Sequence, residues 1–146
     1  MDQILDSPLG QQSNTNYAGF WIRTGAYIVD AILLWIIQVI LAFVIFDGYN
    51  MLQSNIPLSI ISLGIGIAYF AGMESSTRQA TLGKILFRLK VGDAQGKQIS
   101  FGNALGRYFA KILSGIILGI GFMMVGWDDK KQGLHDKLAD TYVFEI

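Results

Sequence analysis

The chain contains no cysteine, one histidine and two prolines among its 146 residues. Thiol catalysis, disulfides and Cys-ligated zinc are therefore excluded. The lone His135 rules out any two-histidine metal motif, so no metal or cofactor is expected. Charge is also scarce, at 15% of residues against about a quarter in a soluble domain. Eleven basic residues balance eleven acidic ones. No basic surplus is left to neutralise phosphates, and nucleic acid is not an expected partner. What remains is apolar: 52% of residues are hydrophobic, the mean hydropathy is +0.43, and there are 17 glycines. This composition points to a small integral membrane protein with the lipid bilayer as its first partner.

A bilayer's apolar core needs ~20 mostly apolar residues in a helix. Residues 24–46 meet that length, interrupted by Asp30 and Gln38. Residues 57–73 form a second run, opened by Pro57, which suits a first helical turn. The expected fold is thus an all-α membrane protein. It has two transmembrane helices, a third Gly-rich helical segment at 112–127, and a small cytoplasmic β-hairpin or sheet. Residues 1–16 are mostly polar, contain Asp2 and Asp6 and lack a basic start, which is unlike a cleavable signal peptide. They are expected to form a cytoplasmic N-terminus ahead of a membrane domain at 17–144. Tyr17, Phe20 and Trp21 are placed to form an interfacial aromatic belt.

Loop charge sets the orientation. Residues 47–56 hold no Lys or Arg, whereas 74–107 hold Arg78, Lys84, Arg88, Lys90, Lys97 and Arg107. Basic loops stay cytoplasmic, which puts 47–56 outside and the N-terminus inside a bacterial plasma membrane. A full crossing by 112–127 would carry Lys130, Lys131 and Lys137 outside, against the same rule. A re-entrant path, broken around Gly115, Gly119 and Gly121, keeps the tail inside. Phe87, Leu89 and Val91 alternate with Arg88 and Lys90 and read as a strand. The turn residues 93–97 then predict a hairpin with 98–100, which Thr141–Phe144 can complete only from the same side. This favours re-entry. Ser100 is an expected N-cap for a helix to about Leu113, with Arg107 and Lys111 towards headgroups.

Arg23 and Asp30 are the sharpest polar feature. Seven residues apart, they return to within about 20° of one helix face. A carboxylate inside an apolar span costs on the order of 3 kcal/mol, so it normally faces protein or a wet cavity. Asp30 is either a packing lock or a ligand site. Arg23 is either a snorkelling interfacial cation or part of the same network. Gly64, Ala68 and Gly72 make a small-residue ridge for the first span or a second copy. Glu74 is expected to be solvated or paired with a loop cation. Residues 79–84 resemble the end of a phosphate loop but lack its upstream glycine, and read instead as a tight turn, with Lys84 meeting headgroups or a tail carboxylate. His135 reads as a helix-end or sheet-packing residue, and Asp136 as a partner for Arg23 or another cation.

In the order and spacing of these residues the chain resembles the RDD family of small membrane proteins. The family's arginine and first aspartate correspond to Arg23 and Asp30 in RTGAYIVDAILLW. The stretch Gln79 to Ser100 is similar to its central loop, and Leu134–Thr141 to its C-terminal element, where Asp136 best fits the second aspartate and Asp128, Asp129 and Asp140 lie nearby. The resemblance implies transport of a small ligand, with cation/proton exchange suggested for some members. Two functions follow as expectations. One is a homo-oligomeric transporter of a small ion or ligand using Asp30, Arg23 and Asp136, with Glu74, Lys84, Arg107 and His135 as lesser candidates. The other is a non-transporting membrane adaptor whose polar triad is structural. No nucleophile–base set supports an enzyme.

Overall fold

The computed structural model describes residues 16–46, 56–117 and 119–146. The expected outer loop, through residue 55, and the polar segment 1–15 lie outside the described residues. In chain order the elements are α1 (Phe20–Phe46), α2 (Ile56–Glu74), α3 (Leu82–Leu86), β1 (Leu89–Gly92), α4 (Phe101–Ile116) and α5 (Ile120–Met123). A 3-10 turn (Met124–Gly126), α6 (Leu134–Leu138) and β2 (Tyr142–Glu145) complete them.

Leu, Ile, Val and Phe dominate α1, and its Gly25 is the sole glycine within it. Twenty-seven residues at 1.5 Å each give a rod of ~40 Å, longer than a bilayer's apolar core. Only 11% of its most apolar window is buried, so this is not the core helix of a soluble protein. Ile32, Trp35, Ile40 and Phe43 all point outward. α2 runs back beside it: Tyr27 stacks on Phe70, and Tyr69 reaches Asp30. Among the described residues α1 alone is long and apolar enough to cross a bilayer by itself. The apolar part of α2, Leu58–Glu74, is shorter, and α4 and α5 qualify only as a pair bent by 114°.

That bend falls where the glycines predict it. Gly119 takes φ +74°, a left-handed conformation costly for any residue with a Cβ. The chain then folds back so closely that a Cβ on Gly121 would meet Ser114 Oγ at 2.6 Å. Ser100 caps α4, its hydroxyl accepting from Asn103 N at 3.1 Å. The faces of α4 are the reverse of a soluble helix. Ala104, Arg107, Ala110 and Ser114 are buried, while Phe101, Phe109, Ile112 and Leu113 are exposed. Arg107 therefore faces protein, not headgroups, and Lys111 turns the same way to Glu74. The physical reason is that a buried Arg or Lys requires a carboxylate partner, and Glu74 and Asp136 supply it.

The expected hairpin does not form; the sheet is built from distant segments. β1 pairs antiparallel with β2, with Lys90 opposite Phe144 and Val91 opposite Val143. Tyr17 bridges Phe144 on the other edge of β2, Ala18 N donating to Val143 O at 2.9 Å. Tyr17 thus stacks on Tyr142 and Phe144 as a sheet residue rather than forming a lipid-facing belt. Residues 93–97 do turn, with Asp93 Oδ1 accepting from Gln95 N and Lys97 N. Beyond the turn, Ile99 enters the core and Ser100 commits to capping, so 98–100 cannot act as a strand. Ala18, Ala26, Leu89, Val91, Ile99 and Val143 form the apolar centre under the sheet.

The chain's lack of cysteine makes the pairing directly testable. Cysteines introduced at Lys90 and Phe144 should cross-link readily on mild oxidation. The pair Lys90 and Ser100, opposed in a local hairpin, should cross-link far more slowly. The reverse order on non-reducing gels would contradict the observed sheet.

Candidate functional site

Two separate polar networks occupy the interior. The first surrounds Asp30, which is 1% exposed. Its Oδ1 accepts from Tyr69 Oη at 2.6 Å and from Gly83 N at 2.7 Å, and its Oδ2 accepts from Thr81 Oγ1 at 2.6 Å. Thr81 is the N-cap of α3, accepting from Lys84 N. The carboxylate therefore holds the first turn of α3 against α1, where backbone N–H groups favour negative charge. Glycine is required at position 83. A Cβ there would collide with the Ala26 carbonyl oxygen and lie 2.8 Å from the Asp30 carboxyl carbon.

The second network begins at Arg23, which does not meet Asp30. Its Nε donates to Ala18 O at 2.9 Å, its Nη1 to Asp136 Oδ2 at 2.5 Å, and its Nη2 to Lys131 O at 2.6 Å. Asp136 is fully buried in the first turn of α6. Its Oδ1 accepts from Arg107 Nη2 at 2.6 Å, and its Oδ2 also accepts from Gly133 N at 3.2 Å. Arg107 Nη1 lies 3.3 Å from Glu74 Oε2. Glu74 Oε1 in turn accepts from Lys84 Nζ at 2.5 Å and Lys111 Nζ at 3.1 Å. One continuous run of charge thus joins α1, α6, α4, α2 and α3. The expected pairing of Glu74 with a loop cation is found in Lys84, which meets that carboxylate rather than headgroups or a tail carboxylate.

Positive charge is in excess. Arg23, Lys84, Arg107 and Lys111 face two carboxylates, Glu74 and Asp136. Burial drives the Lys84 ammonium down to about 7; Glu74 opposes that shift, while Lys111 and Arg107 add to it. Desolvation works against the charge of Asp136, but Arg107 and Arg23 outweigh it and hold the carboxyl below its usual range. Burial lowers His135 to about 3, so the ring is neutral at pH 7. It packs on Phe122 with centroids 5.1 Å apart. A cavity of about 320 Å³ opens beside these groups. Arg23, Lys84, Arg107, Lys111 and His135 line it together with Phe20, Tyr27, Phe70, Phe122 and Val125. Asp30 does not.

Arg23 and Asp136 are thus brought together, with Glu74, Lys84, Arg107 and His135 in the same network, while Asp30 stands apart. Sequence reasoning did not find Tyr69, Thr81 and Gly83 as Asp30's partners, nor α3. The Thr-Leu-Gly-Lys order at 81–84 did carry a signal, a helix N-cap ahead of a short helix. A lone Tyr69 in an apolar run carried none.

An outward-facing apolar surface around a charged interior defines a membrane protein. The RDD family profile matches residues 17–140, and the chain belongs to the RDD family. It is similar to the uncharacterized protein YxaI of Bacillus subtilis, 37% identical over 86% of this chain and 95% of that protein. It is also similar to the uncharacterized membrane protein YteJ of the same organism, 33% identical over 87% of this chain and 80% of that one. The proline-rich antigen homolog of Mycobacterium tuberculosis is 34% identical over 60% of this chain and 38% of its own length. No solved structure matches the chain.

The single histidine offers a clean test of the network's burial. His135 titrates near 6.5 when unfolded and about 3 when folded, so the unfolded chain binds the extra proton between those values. Its contribution to stability should be complete above pH 6.5 and lost as pH falls from 6.5 towards 3. The imidazole NMR signal should stay that of the neutral ring from pH 8 to 5. A midpoint near 6.5 in folded protein would contradict the buried site.

Proposed function

We propose that this RDD protein binds a small ligand in the cavity beside the charged network and moves it across the membrane, with Arg23, Lys84, Arg107 and His135 on its wall and Glu74 and Asp136 behind them. The observation that carries this reading is the cavity itself, because ionisable groups buried at membrane depth are costly unless they face partners or a pathway. In this reading α1 and α2 are full spans and the α4–α5 pair enters and leaves on one side. The sheet supports that path, since it joins residue 17, β1 and β2, and strands so paired lie on the same face of a bilayer. Arg78, Arg88, Lys97, Lys130 and Lys131 are exposed in the segments around the sheet, which favours the cytoplasmic side of a bacterial plasma membrane for it. A second copy completes the enclosure. The ridge of Gly64, Ala68 and Gly72 is open, with no described residue within 4 Å of a Cβ built on either glycine, so it does not serve as a groove for α1.

Cation/proton exchange at Asp30 has less support. Its three hydrogen-bond partners among the described residues are all donors and it lies off the cavity wall, which favours a structural role. The same observation supports the second reading, a membrane adaptor with an interior polar lock. Flux in proteoliposomes separates the two. Wild-type protein should carry at least one of sodium, potassium, chloride, phosphate or acetate saturably, and Arg107→Lys should cut that flux at least tenfold. The Lys keeps the charge but loses the guanidinium fork between Asp136 and Glu74. No flux of any of the five ions would favour the adaptor.

A further inference from the structure

The short helix α3 is built unlike a helix in an aqueous loop. Of its five residues, Leu82, Ile85 and Leu86 are exposed, at 44%, 41% and 69%. The polar groups turn inward: Thr81, the N-cap, donates to Asp30, and Lys84 donates to Glu74. The first amides of a helix have no partner within it and are left to caps or water. In α3 protein groups take the amides of its first three residues. Leu82 N donates to Tyr69 Oη at 3.1 Å, Gly83 N to Asp30 Oδ1 at 2.7 Å and Lys84 N to Thr81 Oγ1 at 3.4 Å. Hydrocarbon demands that a backbone be satisfied by protein in this way, and water does not.

Contacts with α1 give the depth of α3. A Cβ on Gly83 would meet the Ala26 carbonyl oxygen and Asp30, and one on Gly25 would meet the Phe87 ring at 3.0 Å. α3 therefore runs down α1 from the level of Asp30 to that of Gly25. At 1.5 Å per residue these levels lie ~15 Å and ~8 Å from Phe20. α1 is ~40 Å long against an apolar core of ~30 Å, which leaves ~5 Å at each end for the interface. Exposed Trp21 falls within that margin, where its ring is favoured. α3 lies beyond it.

We infer that α3 is embedded in the leaflet at the start of α1, with Leu82, Ile85 and Leu86 against acyl chains. This rests on the reading of α1 as a full span, and not on what the cavity binds. Tyr27 and Ile28 of α1, at the same level, are exposed as well, so α3 extends a lipid-facing surface that α1 already presents. Helix–helix seams in membranes are enriched in small residues, whereas the outer face of α3 is three large branched ones, which suits fluid acyl chains. Arg78 and Arg88 flank α3 in the chain. Both are exposed and have no ion pair among the described residues, as suits side chains that snorkel to the headgroup level.

The test uses the full-length protein in liposomes of phosphatidylglycerol and phosphatidylethanolamine. Leu82→Cys, Ile85→Cys and Leu86→Cys each carry a nitroxide spin label. Ile36→Cys, at an exposed position of α1, and Gln95→Cys, in the 93–97 turn, supply the lipid and water references. Relaxation of each label by oxygen, which concentrates among acyl chains, is compared with relaxation by a water-soluble nickel chelate. At the three α3 positions the oxygen-to-nickel ratio should approach that of Ile36→Cys. Leu82→Cys, ~6 Å deeper than Leu86→Cys, should give the higher ratio of that pair. Ratios as low as that of Gln95→Cys, with Ile36→Cys still oxygen-favoured, would overturn the inference and leave α1 a span. A low ratio at Ile36→Cys as well would overturn both. Poor access for both reagents at all three positions would show protein, such as a second copy, covering α3, and would overturn the inference too. Melting temperatures near that of the wild type verify each fold, and three positions keep the test decisive if one variant misfolds.

Discussion

The buried carboxylate of Asp136, shared between Arg23 and Arg107, is the contact on which the rest of the structure depends. Taking ions out of water costs several kcal/mol each, and only close, well-bonded pairing offsets it. Here the pairing is close on both oxygens, at 2.5 Å to Arg23 and 2.6 Å to Arg107. The three groups come from the start of α1, the middle of α4 and the first turn of α6. Their meeting fixes the tail beside the first helix, and with it the alignment of β2 between Tyr17 and β1. Arg107 then reaches Glu74, and Glu74 reaches Lys84 and Lys111, so α2 and α3 are tied to the same point.

Asp30 solves a different problem. It lies deeper in α1 and carries no ion pair among the described residues; hydroxyls of Tyr69 and Thr81 and the Gly83 amide satisfy it. Polar contacts of this kind in membranes average below about 1 kcal/mol each, yet together they position a five-residue helix that has little stability of its own. Arg23, Asp136 and Asp30 therefore divide their work. Arg23 and Asp136 join α1 to α6, and Asp30 docks the segment between α2 and β1. α3 in turn presents Lys84 to Glu74, which links the two networks through one short helix.

Much of this was legible in the residues themselves. The long run at 24–46 announced α1, Ser100 announced the start of α4, and the glycines near 119 announced the bend. The strand at Leu89–Val91 and the tail strand at Tyr142–Phe144 were both readable from alternation and β-propensity. Their pairing was not, because local turn residues at 93–97 argue equally for a hairpin. What decided it was tertiary: Ile99 was needed in the core and Ser100 at the cap. The inward turn of Arg107 and Lys111 was also hidden. An amphipathic helix shows two faces in sequence, but which face meets protein depends on whether the surroundings are water or lipid. Glu74 and Lys84, ten residues apart and separated by a turn, had no periodicity to connect them.

A double-mutant cycle between Arg23 and Asp136 bears most directly on this account. Arg23→Gln, Asp136→Asn and the pair would be compared by thermal and denaturant unfolding in one detergent. Breaking a buried pair from either side is expected to cost ~3–5 kcal/mol, because a charge is left without its partner. The double variant should then lose much less than the two single losses added, with a coupling of ~2 kcal/mol or more. Additive losses, with coupling below ~0.5 kcal/mol, would show that the two residues do not depend on each other. The tail would then have to be held by something other than Asp136.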